Sequence, residues 1–316
     1  MKLNNDSIVL KSLGIGFRIL CGSLFIFSAY TKLFPIEYFE YQLVGDHLAN
    51  WTTSGYLSRL LISFEFFLGV SLLISFDYKQ LIVRSAFFLT SIFTIYLLVV
   101  LAIKGNEPNC NCFGEVIKMS VVSSLIKNTV LLVVLMFIWK SHNGYSLKFP
   151  KIIISSLLVI SIATVFIVNP INKTFANAAN NDFKNFKMDL GFLYTDSIYI
   201  KPQTDLMKGK HIIAFLSLTC PHCRLAALKF GVITKENPEF PIYFILNGDS
   251  AKIKPFYEET KSENIPSNIV KGNSFIELSG LSLPAIYFVK DGIVEKRENY
   301  LNITNEMITN WLLKKN

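Results

Sequence analysis

Five long apolar runs fill the first half of this 316-residue chain, and they restrict its fold more than any other feature. A segment crossing roughly 30 Å of hydrocarbon needs about 20 mostly apolar residues. Ser12–Leu33, Tyr56–Phe76, Leu81–Ile103, Ser120–Trp139 and Ile152–Val168 read as such segments. The last is the shortest, but Lys151 and Lys173 bracket it and Pro170 follows it. No small-residue cleavage site follows the first run, so it is expected to be a retained anchor and not a removed signal peptide. Most acidic residues lie after Pro170, so a membrane bundle followed by a soluble domain is expected.

The formal charge of +8 does not point to nucleic acid, because no basic stripe with interleaved aromatics is present. Many of the Lys and Arg residues sit instead at the ends of apolar runs, where they bias membrane orientation. With the N-terminus inside, the inner segments carry Lys2, Lys11, Lys79, Lys140, Lys148 and Lys151; the outer ones carry Lys32, Lys104 and Lys118. The expected arrangement is a multi-pass protein of the bacterial inner (cytoplasmic) membrane with a cytoplasmic N-terminus. Five crossings then place the chain after Pro170 outside, in the periplasm or its equivalent.

The expected domains are a transmembrane domain over 1–145, a fifth transmembrane helix over 146–170, a linker over 171–187 and a soluble domain over 188–316. The linker is rich in Asn and Ala. Beyond it the pattern is α/β. Ile212–Leu218 and Pro241–Leu246 read as buried strands, and Cys223–Thr234 and Ser250–Lys261 as helices. Ala285–Val289 and Ile293–Glu298 form a hairpin around Asp291-Gly292, and Asn305–Lys315 a closing helix.

Four of the five cysteines form two close pairs, Cys110-x-Cys112 and Cys220-x-x-Cys223. Structural disulfides usually close long loops, so close pairs favour redox or metal chemistry. A zinc site needs about four ligands, and no second Cys or His pair occurs in the soluble domain, so no metal is expected. Cys220 directly follows a strand and opens a helix. There the helix dipole and unsatisfied amides stabilise a thiolate. Pro221 suits the first helical turn, His222 adds a hydrogen bond or positive charge, and Cys223 is one turn on, placed to attack a mixed disulfide at Cys220. Cys110 and Cys112 lie in the loop between the third and fourth runs, on the same expected side. A C-x-C disulfide closes a very small ring, is strained, and is easily reduced. Cys21, alone in mid-span, reads as a packing residue.

Charged residues inside spans are costly and often functional. Arg18 lies near the inner end of its span and is expected to snorkel. Counting about 1.5 Å per residue, Glu65 lies roughly 14 Å and Lys127 roughly 11 Å from the outer edge. A Glu65–Lys127 pair is therefore expected, as a structural ion pair, a proton relay or a quinone head-group site; Arg18 and Lys32 are further candidates.

The strand–Cys-Pro-His-Cys–helix unit, the later Leu283-Pro284 and the closing hairpin and helix resemble the thioredoxin superfamily over about Met188–Asn316. The resemblance implies a cis Pro284 beside the cysteines, with the Leu283 backbone left free for substrate. Thr219 stands where thioredoxins carry tryptophan. Arg18, Gly22, Phe25, Ser28 and Lys32, with Glu65, Gly69 and the C-x-C-F-G stretch, resemble the MauE/DoxX-like family over roughly Ser12–Trp139. MauE is associated with maturation of a disulfide-rich methylamine dehydrogenase subunit, which here implies disulfide chemistry, not methylamine metabolism.

These readings give a helical membrane bundle, a four-helix MauE/DoxX-like core plus a fifth span, followed by an α/β thioredoxin-like domain. The expected activity is thiol–disulfide exchange. Electrons would pass from exported protein thiols through Cys220 and Cys223 to Cys110 and Cys112, and then to a membrane acceptor such as quinone. No covalently bound cofactor is expected. The rival readings are an outward-directed disulfide reductase and a non-catalytic, membrane-tethered maturation chaperone. The Pro-His dipeptide and the lack of a second mid-membrane cysteine tilt the balance toward oxidation.

Overall fold

In the computed structural model the chain divides into two compact units, Met1–Ile171 and Asn172–Asn316. The structure describes residues 2–74, 80–106, 117, 119–141, 150–171, 186–197, 199–280 and 282–314. Cys110, Cys112, His142 and most of the expected linker lie outside the described residues.

The first unit is helical: α1 Lys2–Leu33, α2 Glu37–Gly45, α3 Ser54–Leu73, α4 Leu81–Lys104, α5 Val121–Ser141 and α6 Pro150–Val168. All but α2 contain a stretch long and apolar enough to cross a membrane. These five helices match the five apolar runs, and the protein is a membrane protein.

α1 and α3 pack backbone to backbone at two glycines. A Cβ on Gly22 would stand 2.8 Å from the Gly69 carbonyl oxygen, and one on Gly69 would stand 2.9 Å from the Ile26 nitrogen. Small residues let membrane helices approach closely and gain van der Waals contact where lipid offers no hydrophobic drive. Cys21, Phe25, Phe67, Leu68 and Leu72 fill the adjoining core, so Cys21 is the packing residue expected.

Several contacts gather helix ends at one end of the bundle. Arg59, near the start of α3, ion-pairs with Glu40 at 2.5 Å and donates to the Asn169 carbonyl at 2.6 Å, just past α6. Asn169 in turn donates to the Leu33 carbonyl at the end of α1 at 3.0 Å. Asp46, just after α2, pairs with Lys104 at the end of α4. The exit of α6 and the start of the connection carrying Cys110 and Cys112 therefore share an end.

The second unit has the elements α7 Phe192–Thr195, β1 Lys210–Ser217, α8 Pro221–Glu236, β2 Ile242–Asn247, α9 Ile253–Thr260, β3 Ser267–Ile269, α10 Asn273–Ser279, β4 Ala285–Lys290, β5 Ile293–Glu298 and α11 Asn305–Leu313. The sheet order is β3-β2-β1-β4-β5. β1, β2 and β3 run parallel, β4 runs antiparallel to β1, and β5 antiparallel to β4. This is a thioredoxin-like α/β fold. β1 and β2 are buried almost end to end, as strands covered on both faces must be. Asp291 (φ 50°) and Gly292 (φ 75°) both take left-handed backbone, the conformation a two-residue hairpin turn requires.

Phe186 and Lys187, read from sequence as linker, belong to this folded unit. Val294 donates to the Phe186 carbonyl at 3.0 Å, Lys187 bridges Ile293, and the Phe186 ring meets Tyr287 edge-on at 5.8 Å.

Candidate active site

β1 ends at Ser217, three residues before Cys220, and α8 begins at Pro221. Cys220 is the residue before the helix, with extended backbone (φ −78°, ψ 123°), and Pro221 fills the first turn. A helix start leaves backbone N–H groups without intrahelical partners, and proline there forfeits none. The Cys220 amide donates to the Ser217 carbonyl at 3.3 Å. Arg224 ties the helix start to the strand end. Its guanidinium donates to the Leu218 carbonyl at 3.2 Å and pairs with Glu259 of α9 at 2.9 Å.

The two thiols occupy opposite environments. Cys220 is half-buried, while Cys223 is fully buried; neither is in a disulfide. The thiols lie within hydrogen-bond contact of each other. Burial pushes the Cys223 thiol well above the usual thiol range; the neighbouring Cys220 adds to the shift, and a hydrogen bond to the Ser217 backbone opposes it. Cys223 therefore stays protonated near neutrality, and Cys220 is the more exposed sulfur of the two.

β4 begins at Ala285, which pairs with Phe215 of β1. That antiparallel register carries the segment before β4 alongside the end of β1 that leads to Cys220. The segment is Leu283-Pro284, and its peptide bond is cis, as the resemblance implied. Both residues are half-buried.

His222, exposed between the cysteines, turns toward Tyr300. Its Nδ1 lies 3.3 Å from the Tyr300 hydroxyl. Tyr300 sits in a short 3-10 turn after β5 and is buried. Lys229, two turns along α8 and also buried, donates to the Tyr300 and Leu301 carbonyls at 2.8 Å each. The sequence reading singled out neither Tyr300 nor Lys229. A lysine on the apolar face of α8 was the available signal for the second.

In the helical unit Glu65 has a partner that the sequence reading did not pair with it. Glu65 pairs with Lys32 at 2.5 Å, both side chains being nearly inaccessible, and accepts from the Ser28 hydroxyl at 3.3 Å. Lys32 and Ser28 lie one turn apart on the α1 face toward Glu65 of α3. Lys127 lines the same cavity as Lys32 and Glu65. Arg18 is fully buried, not snorkelling to a surface, and does not line that cavity.

Fold and site together define a membrane protein that carries a thioredoxin-like α/β unit with a Cys-x-x-Cys pair at a helix start. Residues 10–141 match the family described as methylamine utilisation protein MauE. Protein TlpB of Flavobacterium psychrophilum is 24% identical over 335 aligned residues, which span 89% of this chain and 90% of TlpB. Two solved structures are similar to part of the chain. A secreted disulfide oxidoreductase of Mycobacterium tuberculosis is 15% identical over 33% of this chain and 80% of its own, with a TM-score of 0.28. The thioredoxin domain of a thiol-disulfide oxidoreductase from Bacteroides vulgatus is 18% identical over 40% of this chain and 91% of its own, with a TM-score of 0.29.

Proposed function

We propose that the protein oxidises exported protein thiols and relays their electrons into the membrane. The observation that carries this reading is the accessible Cys220 at a helix start with the buried Cys223 in contact behind it. A substrate thiolate attacks Cys220 of the disulfide form, and Cys223 departs with the electron pair and takes up a proton. A second substrate thiol then attacks its own sulfur in the mixed disulfide. The substrate leaves oxidised, and Cys220 and Cys223 are left reduced. The segment at Leu283 offers its backbone to the extended client.

Reoxidation runs through Cys110 and Cys112, with the lipid-soluble acceptor a quinone. Supporting this reading, the exit of α6 and the start of the connection bearing Cys110 share one end of the bundle. Tethering raises the effective concentration of one pair at the other. The thioredoxin-like domain lies in the periplasm or its equivalent, where disulfides persist.

The test is to trap the thiol state of Cys220 and Cys223 by alkylation in cells carrying Cys110→Ser and Cys112→Ser. The relay predicts accumulation of the reduced pair. An unchanged redox state sinks it.

A further inference from the structure

We infer that the cavity between α1, α3, α4 and α5 is the quinone site, with Asn128 of α5 holding the ring oxygen. This rests on the proposed relay and names its acceptor site. Three observations carry the inference.

The cavity has the right walls. It is faced with Phe25, Phe39, Phe93 and Leu131, a lining suited to a flat apolar ring inside a membrane bundle.

It also has a polar group without a protein partner. Asn128 is 5% exposed and lines the cavity, and its side-chain amide makes no hydrogen bond among the described residues. Buried amides are nearly always hydrogen-bonded, so one left open toward a cavity points to a ligand. A carboxamide serves both redox forms of a quinone: its N–H donates to the ring carbonyl, and its C=O accepts from the hydroquinone hydroxyl.

Its electrostatics suit reduction. The lining carries two ammonium groups, Lys32 and Lys127, and one carboxylate, Glu65. Lys32 is held by Glu65 and lies 4.9 Å from the Phe93 ring centroid. Cations close to the ring stabilise the negative charge that builds as electrons arrive.

A hydrogen-bonded chain leaves the cavity toward the cysteine-bearing connection. Gln42 donates to the Tyr96 hydroxyl at 2.8 Å; Tyr96 donates to Asp46, which pairs with Lys104 at the end of α4. Gln42 and Tyr96 both line the cavity. In the step served, a dithiol gives up two electrons and two protons and closes to a disulfide. The quinone takes up both pairs and becomes hydroquinone. The Tyr96–Asp46 chain offers the protons a route.

The test uses the reduced full-length protein in lipid nanodiscs and a short-chain quinone probe. Binding, quinone absorbance and thiol content are followed together, with exchange against glutathione measured separately. Wild type is expected to bind the probe and reduce one quinone per dithiol. Leu131→Trp, which fills the cavity, is expected to weaken binding about tenfold or more. Asn128→Leu, which keeps the side-chain volume, is expected to weaken it about three- to tenfold. If Leu131→Trp fails to fold, Asn128→Leu decides. Wild-type-like binding in the folded variants overturns the site. A wild type that exchanges with glutathione but neither binds nor reduces quinone overturns this inference and leaves the Cys220–Cys223 chemistry standing. A wild type that does none of these overturns both.

Discussion

The imidazole of His222 meets the hydroxyl of Tyr300 at 3.3 Å, across 78 residues of sequence. One group is exposed between the two cysteines and the other is buried in the turn after β5. The residue between the cysteines is thereby held from outside its own helix.

Tyr300→Phe deletes that contact and keeps the ring. A hydrogen bond of this kind contributes about 0.5–1.5 kcal/mol, which for a two-electron couple corresponds to about 10–30 mV. The Cys220–Cys223 disulfide is expected to become less oxidising by that amount, because His222 no longer has a fixed orientation beside the pair. Equilibration against glutathione, read by mass spectrometry, gives the shift.

The contrast between the two thiols predicts their reactivity. Iodoacetamide should modify Cys220 in the folded, reduced protein and leave Cys223 untouched until it unfolds. The raised Cys223 pKa has a second consequence. Its folded value lies above the unfolded one, so its contribution to stability is complete below the ordinary thiol pKa of about 8.5 and is lost as pH rises beyond that. Cys223→Ser should flatten the alkaline fall in stability relative to wild type. The same variant should trap clients as mixed disulfides on Cys220, while Cys220→Ser should trap none.

Lys229 anchors the turn that carries Tyr300 through two 2.8 Å hydrogen bonds. Bonds from a charged donor contribute about 1.5–3 kcal/mol each. Lys229→Met should loosen this turn first. Amide hydrogen exchange at residues 300–303 should accelerate while the β1 amides stay protected.

In the helical unit, Lys32 and Glu65 are buried together at 2.5 Å. Removing one partner leaves an uncompensated buried charge and costs about 3–5 kcal/mol, whereas replacing both by apolar groups is often nearly neutral. Glu65→Leu alone should destabilise the detergent-solubilised protein strongly. Lys32→Met with Glu65→Leu should recover most of the loss in a double-mutant cycle.

Gly22 and Gly69 face each other's backbone, so relief by rotating a side chain is closed to both. Gly69→Ala places a methyl 2.9 Å from the Ile26 nitrogen and 3.0 Å from the Gly22 oxygen. Overpacking of this kind costs about 1–3 kcal/mol. A lower unfolding temperature with unchanged glutathione exchange at Cys220 is the expected outcome.

Much of this architecture was legible because it rests on strong local signals. Each span is a long apolar run, and the Asp291-Gly292 turn and the Cys220–Cys223 helix start are set within a few residues. α2, Glu37–Gly45, escaped because it is short and mixes Glu37 and Glu40 with aromatics, a pattern without an apolar run. Tyr300 escaped because nothing near it in sequence signals a contact with His222; only the sheet order carries it there. The Lys32 partner of Glu65 escaped because depth fixes one coordinate along a span, while rotation about the helix axis decides which groups it meets. Asn128 gave no signal at all, since a lone amide in a span reads as a packing residue until a cavity is seen beside it.

The central claim is that Cys220 and Cys223 are a reversible redox pair. The most direct measurement is the mass of the full-length protein after equilibration with reduced and oxidised glutathione at a series of ratios, followed by alkylation. The account predicts a single cooperative conversion of Cys220 and Cys223 between dithiol and disulfide, abolished by serine at either position. Two thiols that stay alkylatable at every ratio, or a Cys220 that only accumulates glutathione adducts, would contradict it.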